Sequence, residues 1–321
     1  MGGKDGLWPG LYIVAAAALW STIGVASVYS GNPIMLGLFR SLFASLASLF
    51  IRRVLNRASV LTGIALGVLF SAYPLAAVTA GVGLAAFLLY TAPPLWTTLV
   101  ALGMGEKPSK RGVVGVSLVI IAITLIGAQT IKGSISLIGV LLGLLSGTSY
   151  GTYIALARRF ARVGNEVDVS WGAIPYTLII TAPTAIAYSI ITGSWRPIVN
   201  PALWGVYLGI VTTVIPYRLF AMGVSRVRAS TASVIATVEP VLAALWGFLL
   251  FGQVPTALTL IAYALIITAS TIVYFEGGLD GFYEDGQSSF SNWAFVCRCI
   301  IDGNTNIASI RFMNTTAVMN T

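Results

Sequence analysis

Residues 90–108 read YTAPPLWTTLVALGMGEKP, and residues 236–255 read ATVEPVLAALWGFLLFGQVP. Placing Pro93 on Pro240 carries Glu106 onto Gln253 without a gap. Each stretch is an apolar run of about membrane-crossing length that contains proline near its start. A looser echo joins the beginnings of the two halves: ALWSTIG from Ala18 returns as GTSYGTY from Gly147, which brings Trp20 within one position of Tyr150. The chain reads as one unit written twice.

Composition says where such a unit lives. The 321 residues are 57% hydrophobic and 9% charged, with a mean hydropathy of +0.90. Soluble domains carry about 25% charged residues, and disordered chains are poorer still in apolar residues. Both classes are excluded, and a polytopic membrane protein is left.

There is no histidine. That removes Ser-His-Asp and Cys-His catalysis, His-ligated zinc and imidazole proton relays. Ten acidic residues leave few carboxylates for acid–base chemistry. Cys297 and Cys299 are too close together for a disulfide framework and too few for a metal site. No catalytic residue, metal or cofactor is expected, and the chain does not read as an enzyme.

Runs near 20 residues long cross a membrane as helices. Ten are expected, at 11–29, 34–51, 60–80, 84–104, 112–130, 136–157, 169–191, 203–224, 229–251 and 257–275. They are continuous rather than alternating, which excludes a β-barrel. The turn around Gly81 and Gly83 is the least marked of the connections. The first run is full length and reads as part of the mature body rather than as a cleavable signal.

The net charge of +8 is spread in a way that fits topology and not nucleic acid. Lys4, Arg52, Arg53, Arg57, Lys107, Lys110, Arg111, Arg158, Arg159, Arg162, Arg226 and Arg228 fall on alternate connections, against Lys132 and Arg196 on the others. The positive-inside rule then places both termini in the cytoplasm of a multi-pass cell-membrane protein. After Phe275 the composition changes, and residues 276–321 read as a poorly ordered cytoplasmic tail.

Five helices per repeat is an odd number, so the second half, 134–275, inverts the topology of the first, 6–131. Inverted repeats are a hallmark of secondary transporters with a midplane site between the halves. The LWS of the first span, the Asn32-Pro33 turn followed by Arg40, and the P-to-GEK pattern ending at Glu106 resemble the first EamA repeat of the drug/metabolite transporter superfamily. EPVLAALWGFLLFG resembles the second, and the likeness extends over about residues 6–275. It implies a ten-helix carrier of small metabolites working by alternating access, with efflux the direction of many relatives. Gln253, where the second repeat usually has Glu, departs from that pattern. Glu106 keeps the carboxylate, which points to a structural role there.

Charges inside spans cost about 2.5–3.5 kcal/mol each on insertion scales, so Arg40, Arg218 and Glu239 require a reason. Arg218 lies six residues from its cytoplasmic end and Glu239 ten from its own, depths about 6 Å apart. They are expected either to pair and fix packing or to face a cavity and bind charged substrate groups. Arg40 lies nearer the outside and is the poorer partner for Glu239. A carboxylate beside guanidiniums suits a zwitterion such as an amino acid. Glu239 alone would suit an organic cation or drug. Glu239 is also the one deep carboxylate that could carry a proton, with burial and a paired Arg acting on it in opposite directions. A channel is the remaining rival, although no ring of charge is evident.

Prolines mark candidate breaks at Pro93, Pro94, Pro216 and Pro240, the first and last sharpened by their repeat equivalence. Trp20, Tyr73, Tyr90, Tyr150 and Tyr217 are candidate cavity walls. Gly139, Gly143, Gly147 and Gly151 recur every four residues and read as a stripe for close helix packing. The expected partners are a small-molecule substrate, the bilayer and a coupling proton, with no nucleic acid.

Overall fold

The structure is a computed structural model. It describes residues 9–51, 57–80, 82–130, 136–161, 171–195, 198–252 and 254–277. Gly81, Gln253, Lys132, Arg196, several of the topogenic arginines and the tail beyond 277, with Cys297 and Cys299, lie outside the described residues.

Every regular element described is helical. In chain order they are α1 (Pro9–Trp20), α2 (Ile23–Ser30), α3 (Pro33–Ile51), α4 (Arg57–Ala80), α5 (Val82–Gly103), α6 (Lys110–Thr130) and α7 (Leu137–Ala161). A 3₁₀ turn at Ile174–Thr177 leads into α8 (Leu178–Thr192). Then α9 (Val199–Gly209) passes through a π-helical turn at Ile210–Val214 into α10 (Ile215–Val224). The chain closes with α11 (Ala229–Ala236), α12 (Val238–Phe251) and α13 (Ala257–Gly277). Eight helical rods among the described residues are long and apolar enough to cross a membrane; Pro33–Leu49 and Ala257–Val273 are shorter apolar helices. Large side chains such as Leu137, Ile191 and Val199 point outward, 71%, 82% and 69% exposed. On a soluble protein that outer surface would be an aggregation hazard, whereas lipid accepts it.

Helix packing rests on small residues, because lipid gives apolar side chains no reason to prefer one another. The α7 helix lies against both α4 and α5, and its glycines are the contact. A Cβ at Gly139 would collide with Ala80; one at Gly143 would stand 2.6 Å from Leu88, and one at Gly147 2.7 Å from both Ala92 Cβ and the Leu88 carbonyl. At Gly151 it would sit 3.0 Å from Thr97 Oγ1. Real side chains do not approach as closely as at Gly139, Gly143 and Gly147, which exclude anything larger than glycine, and Gly151 is nearly as tight.

A second glycine device was not anticipated. LTGIALG at 61–67 and LWGVYLG at 203–209 share one pattern, each with a proline seven residues on, Pro74 and Pro216. Gly63 and Gly67 abut Ala173, Tyr176, Thr177 and Ile180 at the start of α8, while Gly205 and Gly209 abut Phe39, Arg40, Phe43 and Ala44 of α3. The same motif thus seats α4 on the α8 segment and α9 on α3.

The helix breaks only partly follow the prolines. One expected break falls at Thr237, between α11 and α12 and one turn before Pro240, whose missing N–H leaves Ala236 without its usual donor. Pro216 follows the π turn directly. Pro93 and Pro94 break nothing: α5 runs through them. The reason is tertiary, since Leu88, Ala92 and Thr97 on either side are clamped against the α7 glycines. Conversely, the α1–α2 break has no proline. There the Ser21 and Thr22 hydroxyls donate to the carbonyls of Ala18 and Leu19 at 2.7 and 2.8 Å, competing with the helical ladder.

Candidate substrate site

The elements that break or bend surround a cavity of about 610 Å³. Its walls come from α1–α5, α7, α9, α10, α12 and α13. The cavity runs from buried Trp20, Tyr150 and Tyr217 out to Val28 and Val78, which are 64% and 50% exposed. Its mouth is therefore at the end of the bundle where α2 and α4 finish.

Seven of the eight expected binding residues line it: Trp20, Arg40, Tyr73, Tyr90, Tyr150, Tyr217 and Glu239, with Pro240 beside them. Beneath it the rings close a floor. Trp20 meets Tyr150 edge-on at 6.0 Å and Tyr217 at 5.0 Å; Tyr217 in turn meets Tyr153 edge-on at 5.1 Å. Such ring pairs add about 0.5–1.5 kcal/mol each beyond area burial. Trp20 Nε1 and the Tyr150 hydroxyl are buried there without a hydrogen-bond partner. Both residues line the cavity, and buried donors of this kind are normally paired.

Arg40 is fixed by a part that sequence periodicity did not reveal. Its Nε donates to Thr213 Oγ1 at 2.8 Å and its Nη2 to the Thr212 carbonyl at 3.2 Å, with the guanidinium 3.9 Å from the centre of the Phe70 ring. Both threonines belong to the π turn, a geometry that leaves carbonyls free and recurs at functional sites. Gly205 and Gly209 bring α9 close enough for the reach. Glu239 follows the Thr237 break, and its Oε1 accepts from the Tyr90 hydroxyl at 3.0 Å. Among the described residues its Oε2 has no hydrogen-bond partner.

Arg218 does not join them. The expected pairing with Glu239 is absent, and Arg218 stacks instead on Trp171, 5.0 Å from the ring centre. Depth was a poor guide here because the π turn inserts an extra residue into the helix. It turns Tyr217, Phe220, Ala221 and Val224 inward and leaves Arg218 on another face. Arg40, rated the poorer companion of Glu239, shares its cavity. Pro93, Pro94 and Pro216 are not among the walls.

At the opposite end the bundle is tied shut. Glu106 Oε2 meets Arg158 Nε at 3.2 Å, with the two side chains 13% and 8% exposed. Its Oε1 accepts the Ala229 N–H at 2.6 Å, a carboxylate at the positive end of α11. Arg158 Nη1 donates to the Val224 carbonyl at 3.1 Å and to that of Ser225. One ion pair thereby joins the α5–α6 connection, the end of α7 and the α10–α11 turn. Nothing in the repeat pattern alone predicted that Glu106 would meet Arg158.

A multi-pass helical bundle around a cavity with a carboxylate and a guanidinium on its wall, open at one end and tied at the other, defines a membrane transporter. The comparisons agree. Residues 137–275 match the EamA-like transporter family. An "Uncharacterized transporter" of Archaeoglobus fulgidus is 29% identical over 272 residues, covering 82% of this chain and 95% of that one. The threonine/homoserine exporter RhtA of Escherichia coli (strain K12) is 28% identical over 136 residues, 42% of this chain and 45% of its own. A solved crystal structure with 22% identity superposes with a TM-score of 0.68, over 84% of this chain and 98% of that one, which speaks to the fold. The family match over residues 137–275 and the relatives named as transporters thus support an EamA-type transporter of the drug/metabolite transporter superfamily.

Proposed function

We propose that this protein is an alternating-access secondary transporter that exports a small polar metabolite such as an amino acid across the cell membrane. The observation that carries the reading is the pair Arg40 and Glu239 on one cavity wall, each held by a different helix break, with orphan donors on Trp20 and Tyr150 between aromatic rings. A zwitterion offers a carboxylate to the guanidinium and an ammonium to the free oxygen of Glu239. The partial match to an exporter named for threonine and homoserine supports the same class.

The architecture proposed is ten spans in two inverted five-helix repeats, 6–131 and 134–275. Its support is that the packing survives exchange of the halves. The span containing α4 packs on α7 and on the α8 segment, as the α9–α10 span packs on α1 and on α3, while α6 packs on α13, its own counterpart. With both termini in the cytoplasm, the mouth faces outside and the Glu106–Arg158 tie closes the inner end. Transport then requires the tie to open and the mouth to close.

A second reading is favoured by the Oε2 of Glu239 and the largely apolar walls: export of organic cations or drugs on the glutamate alone. Binding of amino-acid and organic-cation panels to purified protein, followed by counter-transport in vesicles, separates the readings. Saturable exchange of an amino acid is expected. Preference for cations lacking a carboxylate selects the second reading, and flux without saturation or exchange selects a channel.

A further inference from the structure

We propose that Arg218 and Trp171 form a binding site for a phosphate-type oxyanion, apart from the substrate cavity. The guanidinium carbon of Arg218 sits 5.0 Å from the centre of the Trp171 indole. The ring face satisfies the cation's face only; the N–H groups of both partners lie in their own planes and still need acceptors. Arg218 Nη1 and Trp171 Nε1 are both buried, and among the described residues neither has a hydrogen-bond partner. Two buried donors side by side with no acceptor is an uncommon arrangement, because more than nine in ten such groups are paired.

Among the described residues, the surroundings do not supply an acceptor. Trp171 packs on Ala44, Ala47, Ile174 and Val214, an apolar cluster. The two acidic side chains described, Glu106 and Glu239, are engaged with Arg158 and Tyr90. Neither Arg218 nor Trp171 lines the cavity, so the substrate would not reach them there.

Position and charge narrow the ligand. Arg218 is six residues before the end of α10 at Val224, about 9 Å along the axis, and a long side chain there reaches the interface. Exposed Arg226 follows at the same end of the bundle. A guanidinium beside an indole N–H, between helices and at the level of the headgroups, suits the phosphate of an anionic lipid or a free phosphate ion. The two sources share one chemistry. Bound there, the anion would bridge the α9–α10 rod and the helix opened by Trp171.

The test uses the full-length protein, purified and delipidated in an uncharged detergent, with its melting followed by intrinsic fluorescence. Dioleoylphosphatidylglycerol, a diglucosyl-diacylglycerol as uncharged lipid, and inorganic phosphate are titrated separately. The wild type should show a saturable rise in melting temperature with phosphatidylglycerol and none with the glycolipid. A rise with inorganic phosphate at comparable concentration assigns the site to the free ion. The rise should vanish in Arg218→Gln, and half-saturation should move severalfold higher in Trp171→Phe, which keeps the ring and removes only the indole N–H. The second variant carries the test if the first fails to fold. An unchanged response in the variants, an equal response to the glycolipid, or no response of the wild type to either phosphate source overturns the proposal.

Discussion

Replacing Glu106 by Gln perturbs the tie at the closed end while keeping its shape. In the closed state the carboxylate accepts from Arg158 and from the Ala229 N–H. Glutamine can accept only one of these through its single oxygen and turns an NH₂ toward the other donor. Hydrogen bonds to charged groups are worth about 1.5–3 kcal/mol, against about 1 for neutral ones. Removing one partner of a mostly buried pair costs about 3–5 kcal/mol when the other charge is stranded. Arg158 keeps two carbonyl acceptors, so the loss falls below that range, about 2–3 kcal/mol, a shift of about 30- to 150-fold toward the state in which this end is open.

The assay is the labelling of a cysteine on the cavity wall, Ala243→Cys, with Cys297 and Cys299 replaced by serine, using an impermeant maleimide on vesicles of each orientation. In the Glu106→Gln background, labelling should rise at least about tenfold from the Glu106 side and fall from the mouth side. Equal rates from both sides in the parent and in the Glu106→Gln protein, with expression intact, would refute the reasoning and leave the pair a static brace. Exchanging the charges, Glu106→Arg with Arg158→Glu, should not restore the parent. Arginine would then face the Ala229 N–H, and glutamate the carbonyls of Val224 and Ser225.

The other expectations concern the cavity and the glycines. Glu239→Gln should flatten the pH dependence of transport if this carboxylate carries the coupled proton; a profile identical to wild type removes it from coupling. Thr213→Val deletes the acceptor of Arg40 Nε while conserving volume. It should weaken binding of a carboxylate-bearing substrate about tenfold and leave an amine without a carboxylate unaffected, as measured by competition. Gly147→Leu drives a side chain into the Leu88 carbonyl and Ala92. It should lower folded yield or transport without altering relative specificity, and normal yield and rate would contradict the packing role.

Much of this architecture is legible in residues that lipid constrains directly. Apolar run lengths, the spread of arginine and lysine, and the shared proline and glycine spacing of 90–108 and 236–255 depend only on local composition and on the bilayer's thickness. The glycine pattern shared by 61–67 and 203–209 was equally readable, yet easy to pass over, because glycine is common in membrane helices. Whether a proline breaks its helix was not readable. The α7 glycines hold α5 straight through Pro93 and Pro94, while two hydroxyls with no proline open the α1–α2 break.

Composition and transfer cost alone establish a polytopic helical membrane protein with no histidine chemistry and three deep charges. Which of those charges belong together was decided only in three dimensions. A π turn of five residues re-phases the helix after Gly209, so that Thr212 and Thr213 hold Arg40 at the cavity with Glu239, while Arg218 is carried around to Trp171. Hydrophobic periodicity has no term for an inserted residue whose cost is met by neighbours far along the chain.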